Sequence, residues 1–374
     1  MFSRLQLTPY ECTKNALQPL LDNIHIPING SLTCKDLFHT VLGMAVDKKS
    51  AHSINKQYLE TPCETSIRYH LKKMSMDQLI ESNAKILMQT ALGTLNQNQK
   101  YDFAIDYTND PYYGKRDKEN KKYLIRGQAK KSTNTFYSYV SLYIINKNKR
   151  FTISVLPVEN GKLKTDYINC FIKRIDELNF KVNVLCLDRE FYSSKVFAFL
   201  QEKEIPHIIP VVKRGRKIKT VLMGRKKRYD TYVMKGAEGN VKLDVVIDVK
   251  YKKGNRGETG CENFGFVVYG TDWDPRKVST TYRKRFAIEA SYRMRNIVKP
   301  KTSSKNPMFR YFYTLVSFLL KNTWVTLQRR HFTRVKRGPQ VIEYDMFRFD
   351  MFIHFVMEWV RKKLRVRLTI ECCS

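Results

Sequence analysis

Three acidic residues stand in settings that favour chemistry over simple solvation. Asp106 follows the apolar run 103–105, and Asp188 follows the apolar run 184–187. A carboxylate this close to a sheet core costs several kcal/mol unless it is paired or bound to a metal. Glu289 is the lone acid of a strongly basic segment. Each is a candidate ligand, with a turn or cap role as the alternative for the aspartates and a surface salt bridge for Glu289.

The elements that carry these acids must converge if the acids act together. Both aspartates end predicted strands, and parallel neighbouring strands bring such ends to one edge of a sheet. Glu289 lies on a helix predicted over about 281–299, one face of which is polar where a packed helix would carry Leu or Val. The residues that recur on this face every three to four positions are Tyr282, Arg285, Glu289, Tyr292 or Arg293, and Asn296.

The order of the other predicted elements indicates an α/β protein. Strands are predicted over about 101–106, 122–126, 136–145, 151–158, 182–187 and 205–211, with helices over 164–178 and after Ser193. This order predicts a mixed sheet with helices on its faces. We therefore divide the chain into a helical N-terminal region (1–97), a core in two parts (98–211 and 272–330), a β-rich basic insertion (212–271) and a basic helical C-terminal region (331–374).

The charge balance indicates a polyanionic partner. The 374 residues include 68 Lys and Arg against 35 Asp and Glu, a net charge of +33 at pH 7. Nucleic acid is the first candidate for such an excess. The longest apolar stretch, 311–320, is about half the roughly 20 residues of a membrane span, so no membrane partner is expected. The eight cysteines contain no Cys-x-x-Cys pair, which favours reduced thiols in a cytoplasmic protein.

Clusters of basic residues mark the candidate DNA contacts. A third short helix, predicted to be capped by Thr65, carries Arg68, Lys72 and Lys73 on its outer face. This is what a helix-turn-helix DNA reader requires, although an ordinary bundle with a solvated basic face has the same pattern. Two basic runs in the insertion suit phosphate contact, with solvated loops as the alternative. They are Lys213, Arg214, Arg216 and Lys217, and then Arg225, Lys226, Lys227 and Arg228.

These motifs together resemble those of the DDE transposases of the IS-four-like superfamily, in its ISH-three-like branch. The resemblance covers nearly the whole chain. Ile-Asp-Tyr-Thr (105–108) resembles the strand of the first acid, and Leu-Asp-Arg-Glu-Phe-Tyr (187–192) resembles the second-acid motif. Tyr282, Arg285 and Glu289 match the pattern Tyr-x2-Arg-x3-Glu-x6-Lys, but Asn296 stands where the pattern has Lys.

The resemblance implies an RNase H-like catalytic core in which Asp106, Asp188 and Glu289 hold two Mg²⁺ ions, with Mn²⁺ as a substitute. It also implies cleavage of double-stranded DNA at terminal inverted repeats, strand transfer into target DNA, and a homodimer on that DNA. Tyr282 and Arg285 would then contact phosphates. Arg293, Arg295 or Lys299 would supply the charge missing at 296, and Asp110 is the alternative first acid.

Two other functions remain open from the sequence. One is an element-derived DNA-binding protein whose catalysis is lost or unused, which the departure at Asn296 keeps open. The other is a structural RNA-binding protein, which accounts for the charge of +33 but not for acids at strand ends.

Overall fold

Runs of apolar and β-branched residues build one nine-stranded sheet through the middle of the chain. The computed structural model describes residues 6–237, 239–252, 254, 260–334 and 341–369. The first six strands are β1 (Lys100–Pro111), β2 (Leu124–Lys130), β3 (Thr133–Ile144), β4 (Thr152–Pro157), β5 (Lys181–Leu187) and β6 (His207–Pro210). β1 is antiparallel to β3 and parallel to β5, and β5 is parallel to β6. β2 and β4 both pair with β3.

The basic insertion continues this sheet instead of forming a separate unit. Its strands are β7 (Arg228–Gly236), β8 (Gly239–Tyr251) and β9 (Cys261–Tyr269). β9 pairs antiparallel with β6, so the order along the sheet is β2-β3-β1-β5-β6-β9-β8-β7. A separate two-stranded ribbon joins β10 (Thr333–Arg334) to β11 (Val341–Ile342). The predicted α/β class, with a large mixed sheet and flanking helices, is confirmed.

Five α-helices precede the sheet in the described part of the chain, and two of them begin with capping boxes at Thr8 and Thr33. The fourth helix starts after Cys63, so the predicted cap at Thr65 is wrong. The helices are α1 (Pro9–Asn23), α2 (Cys34–Val46), α3 (Ala51–Gln57), α4 (Glu64–Leu71) and α5 (Met76–Met88).

Helices cover both the sheet and the N-terminal bundle. They are α6 (Lys164–Glu177), α7 (Ser194–Glu202), α8 (Arg216–Val221), α9 (Pro275–Lys284), α10 (Ala287–Ile297), α11 (Pro307–His331) and α12 (Phe349–Leu364). α5 and α11 pack on β4, whereas α7 and α9 pack on β8. None of the described helices combines the length and apolarity that crossing a membrane requires.

Buried amides join the N-terminal helices to the sheet. The Asn322 side chain on α11 donates to the carbonyl oxygens of Leu87 (3.0 Å) and Thr152 (2.7 Å). The Asn83 side-chain oxygen on α5 accepts from the amide of Val155 at 3.0 Å and from the Ser154 hydroxyl at 2.6 Å. Buried polar groups satisfied in this way fix how the elements pack. Cys372 and Cys373 lie outside the described residues, and the described cysteines are free thiols.

Candidate active site

The register of β1 and β5 brings the two aspartates side by side. Ile105 pairs with Leu187 in the last step of this parallel ladder, so Asp106 and Asp188 follow at the same edge. Asp188 ends its strand, as predicted. Asp106 does not, because β1 runs on to Pro111 through continued antiparallel pairing with β3. The first acid therefore lies in the middle of a strand but just beyond the end of its parallel pairing.

The helix expected over 281–299 is broken, and the prediction of one continuous helix is wrong. Hydrogen bonds from residue i+3 to residue i replace the α-helical pattern where α9 ends and α10 begins: Arg285 N to Tyr282 O (2.9 Å) and Ile288 N to Arg285 O (2.9 Å). Such bonds tighten the backbone locally. The tight turn places Arg285 inside the protein, with 5% of its surface exposed. No Pro or Gly stands there to signal the break.

The three candidate acids converge on the Arg285 guanidinium. Its Nη1 lies 2.7 Å from Asp106 Oδ2, and its Nη2 lies 3.6 Å from both Asp188 Oδ1 and Glu289 Oε1. Its Nε donates to the Tyr282 hydroxyl at 3.1 Å. Asp106 is buried, whereas half of the Glu289 side chain is exposed. The cluster is therefore anchored in the core at one end and open to solvent at the other.

Asp106 is held by backbone and side-chain partners that fix its position. Its Oδ1 accepts from the Tyr107 amide at 2.8 Å. The Tyr292 hydroxyl donates to the Asp106 carbonyl oxygen at 2.9 Å and lies 2.8 Å from Ser141 Oγ. Burial raises the pKa of the Asp106 carboxyl to about 6, against the opposing charge of Arg285. The role of Ser141 was not predicted, because a single serine in an apolar strand carries no sequence signal.

Asp110, the alternative first acid, has partners of its own. Arg295 Nη2 lies 3.1 Å from its Oδ1, and the Lys299 ammonium is in close contact with its Oδ2. Burial alone would raise its pKa, but these two cations hold the pKa of Asp110 well below its usual range. Burial in turn lowers the pKa of Lys299 to about 8. Arg295 and Lys299 are therefore both paired with Asp110. Neither supplies an unpaired cation near Asn296, which is exposed.

The basic runs of the insertion divide into paired and unpaired cations. Arg228 donates to the carbonyl oxygens of Lys226 (3.1 Å), Val221 (2.6 Å) and Met223, so it stabilises the backbone at the end of α8 and in the loop after it instead of facing a partner. Lys227 is paired with Asp248 at 3.1 Å. Lys213 donates to a backbone oxygen at 3.2 Å yet stays exposed. The other exposed members are Arg214, Arg216, Lys217, Arg225 and Lys226.

Some cations of the basic face predicted in the N-terminal region also form contacts within the protein. Arg68 forms an ion pair with Glu64 at 2.5 Å, and Lys73 donates to the Pro27 carbonyl oxygen at 2.7 Å. Lys72 is exposed at the end of α4. Exposed surface ion pairs contribute little to stability, so Arg68 can exchange partners at small cost.

A groove of about 350 Å³ runs beside the acid cluster. Asp188, Tyr282 and Arg285 form part of its wall. Three further cations border it, namely Arg189, Lys213 and Arg283. Arg293 is also exposed, one helical turn beyond Glu289. The site therefore combines carboxylates with a surrounding positive surface, which suits a phosphodiester.

The carboxylates offer only oxygen donors, the ligands that hard divalent cations prefer. Among the described residues, no group of three His, Cys, Asp or Glu side chains is arranged to hold one metal ion. The guanidinium of Arg285 lies between the three acids and supplies the positive charge there. The donor chemistry thus fits a divalent metal, provided that Arg285 gives up its contacts.

No family model and no curated protein matches the chain. Among solved structures, the chain is similar to a piggyBac transposase in a synaptic complex with hairpin DNA, determined by cryo-EM. The TM-score is 0.56 at 12% sequence identity, over 98% of this chain and 84% of that chain. At this identity the likeness concerns the fold. The chain therefore shares its overall fold with a transposase, and the IS-four-like branch stays a prediction.

Proposed function

We propose that the chain is a transposase that cleaves double-stranded DNA at the ends of its element and transfers those ends to target DNA. One observation carries the proposal: Asp106, Asp188 and Glu289, from three separate elements, meet around one guanidinium. The fold shared with a transposase supports it. So does the positive surface around the groove, because binding to DNA phosphates is largely electrostatic.

Asp106, Asp188 and Glu289 are the residues that would hold the divalent ions. Two such ions, Mg²⁺ or Mn²⁺, would supply Lewis-acid chemistry for in-line displacement at phosphorus. The protein itself contributes position: the β1–β5 register fixes the two aspartates, and the tight turn before α10 brings Glu289 to them. Tyr292 and Ser141 hold the β1 backbone beneath the first acid.

Arg285 has two parts in the proposed mechanism. In the structure its single positive charge offsets part of the repulsion among three neighbouring carboxylates. It also lines the groove. A guanidinium released from the acids can there bind a DNA phosphate through two parallel hydrogen bonds. Tyr282, whose hydroxyl accepts from Arg285 Nε, orients the guanidinium in the first state.

The proposal is tested with DNA that carries the sequences flanking the reading frame, together with a target plasmid. With MgCl₂ we expect strand breaks at the element ends and covalent joining to the plasmid, and with EDTA neither product. Binding without any break, in Mg²⁺ or Mn²⁺, would contradict the proposal and favour the DNA-binding protein without catalysis. Equal binding of RNA and DNA without breaks would favour the structural RNA-binding protein.

A further inference from the structure

A partly open cavity of about 150 Å³ lies between α10, α11 and the end of β3. Ala287, Ala290, Ser291 and Met294 line it from α10, at the spacing of one helical face. Trp324 and other side chains of α11 form the opposite wall. The lining is mostly apolar. An apolar cavity of about this volume can hold one benzene ring.

The cavity contains a buried amine that lacks an acidic partner. Lys321 is 2% exposed and lines the cavity. Its ammonium donates to the Tyr143 hydroxyl (3.4 Å) and to the Arg150 carbonyl oxygen, and it lies 4.7 Å from the centre of the Tyr143 ring. No carboxylate of the described residues pairs with it. Burial lowers the pKa of Lys321 well below its ordinary value, and the charge of Arg150 adds to this effect.

A second buried polar group lines the same cavity. Ser291 is 1% exposed, and its hydroxyl lies near that of Tyr143. By distance and angle it forms no hydrogen bond with any residue that the structure describes. Such a group costs about 1–3 kcal/mol when it stays unsatisfied. The protonated Lys321 side chain has three N–H donors, and two of them bind the Tyr143 hydroxyl and the Arg150 carbonyl oxygen. One donor is therefore left for a ligand that also binds Ser291.

We propose that this cavity binds a small organic monocarboxylate of about the size of benzoate. The carboxylate oxygens accept from Lys321 Nζ and Ser291 Oγ, and the negative charge balances the buried ammonium. The ring or short alkyl part packs against Trp324 and Met294. A neutral molecule of the same size fills the volume but supplies no negative charge to stabilise the protonated form of Lys321. Because Ala290 and Ser291 directly follow Glu289, the bound molecule contacts the helix that carries the third acid.

The test is calorimetric titration of the full chain with benzoate, and with benzamide as the neutral comparator. We expect saturable binding of benzoate and weaker binding of benzamide. Titrations in two buffers of different ionisation enthalpy should show proton uptake, because the carboxylate favours the charged form of Lys321.

The variants Lys321→Met and Ser291→Ala separate the two contacts. Lys321→Met should weaken benzoate binding by about tenfold or more and abolish the proton uptake, and Ser291→Ala should weaken it less. Exposed Lys147 gives the matched control Lys147→Met, with unchanged affinity. Because Lys321→Met removes a buried charge, thermal unfolding should show that it folds. The absence of saturable benzoate binding to the parent chain would overturn the proposal, as would unchanged affinity and proton uptake in folded Lys321→Met.

Discussion

Arg285 sets the charge balance of the acid cluster. It is the single cation in contact with Asp106, Asp188 and Glu289 among the described residues, at 2.7, 3.6 and 3.6 Å. A buried carboxylate that loses its partner is strongly destabilising, whereas an exposed one is not. Asp106 is the buried member of the three. Most of the contribution of Arg285 to the free energy of unfolding should therefore come from its contact with Asp106.

Arg285→Ala should lower the free energy of unfolding by about 3 kcal/mol at neutral pH in metal-free buffer, because it leaves Asp106 buried among like charges. Excess MgCl₂ should restore part of the loss, since a divalent cation that binds the folded state stabilises it. The measurement is denaturant unfolding with and without MgCl₂. The control is Arg283→Ala, an exposed neighbour. Equal stabilities of Arg285→Ala and the parent chain would contradict this role.

His207 should make the stability pH-dependent. The imidazole is fully buried between the rings of Phe197 and Tyr269, and burial lowers its pKa from 6.5 to about 4. Between these two pH values the unfolded chain binds the proton and the folded chain does not. The free energy of unfolding therefore falls as the pH falls through this window, by about 3 kcal/mol in total.

Denaturant unfolding from pH 7.5 to 4 should accordingly show a flatter profile for His207→Asn than for the parent chain. The difference between the two profiles isolates this residue, because all other titrating groups are common to both. The asparagine amide can still donate to the Ile205 carbonyl oxygen, as His207 Nδ1 does at 2.9 Å. Parallel profiles would show that His207 titrates at its ordinary pKa when folded.

At the scale of elements, patterns that repeat along the chain were predictable and local breaks were not. The insertion over 212–271 was predicted to be β-rich, and it contains β7, β8 and β9. The apolar runs before Asp106 and Asp188 predicted two strands, and the β1–β5 register places both aspartates just beyond the last parallel pair, although β1 itself runs on past Asp106. The turn before α10 escaped prediction, because it consists of main-chain hydrogen bonds and is accompanied by the contact of Arg285 with the buried Asp106, and neither leaves a repeating pattern in the sequence. Pairing of β9 with β6 depends on contacts distant in sequence, which periodicity does not report.

The loop between α8 and β7 carries most of the second of the two basic runs predicted to contact phosphates. Arg225 and Lys226 are exposed there, whereas Arg228 binds backbone oxygens. Replacing Arg225 and Lys226 together with Ala should weaken binding to end DNA and scrambled DNA alike. The slope of log affinity against log salt should become shallower by about 0.9 for each phosphate that the loop no longer neutralises.

The salt series is measured for both DNAs, with Lys242→Ala on β8 as the exposed control. Arg228→Ala should instead lower stability, since it removes the donor to three carbonyl oxygens at the end of α8 and in the loop after it. Weaker binding confined to end DNA, with the salt slope unchanged, would mean that this loop reads bases.

At the scale of the molecule, the N-terminal helices and the C-terminal helix form one packed unit. α12 packs on α1 and α2, and the chain beyond it runs back against the end of α3: Leu59 donates to the Arg365 carbonyl oxygen and Arg367 to that of Gln57, both at 2.9 Å. The boundary at 97 follows the change from predicted helices to predicted strands, a local pattern that cannot show that distant helices share a core. The division at 97 therefore stays a prediction.

Deleting the chain from residue 349 onward should expose the apolar faces of α1 and α2. We expect a loss of cooperative unfolding and a lower midpoint, because Phe352, Val356 and Val360 are fully buried. Calorimetry of the truncated and full chains measures this. As the control, Met351→Ala on the exposed side of α12 should leave the midpoint nearly unchanged. An unchanged transition in the truncated chain would show that the N-terminal region folds without α12.

The measurement that tests the central claim most directly is Mg²⁺-dependent cleavage of end DNA by Asp106→Asn, Asp188→Asn and Glu289→Gln. The matched control is Glu190→Gln, an exposed acid two residues beyond Asp188. If the three converging acids perform the chemistry, each of the three variants should bind end DNA like the parent chain and cleave none of it, while Glu190→Gln cleaves normally. Normal cleavage by Asp188→Asn would contradict the account.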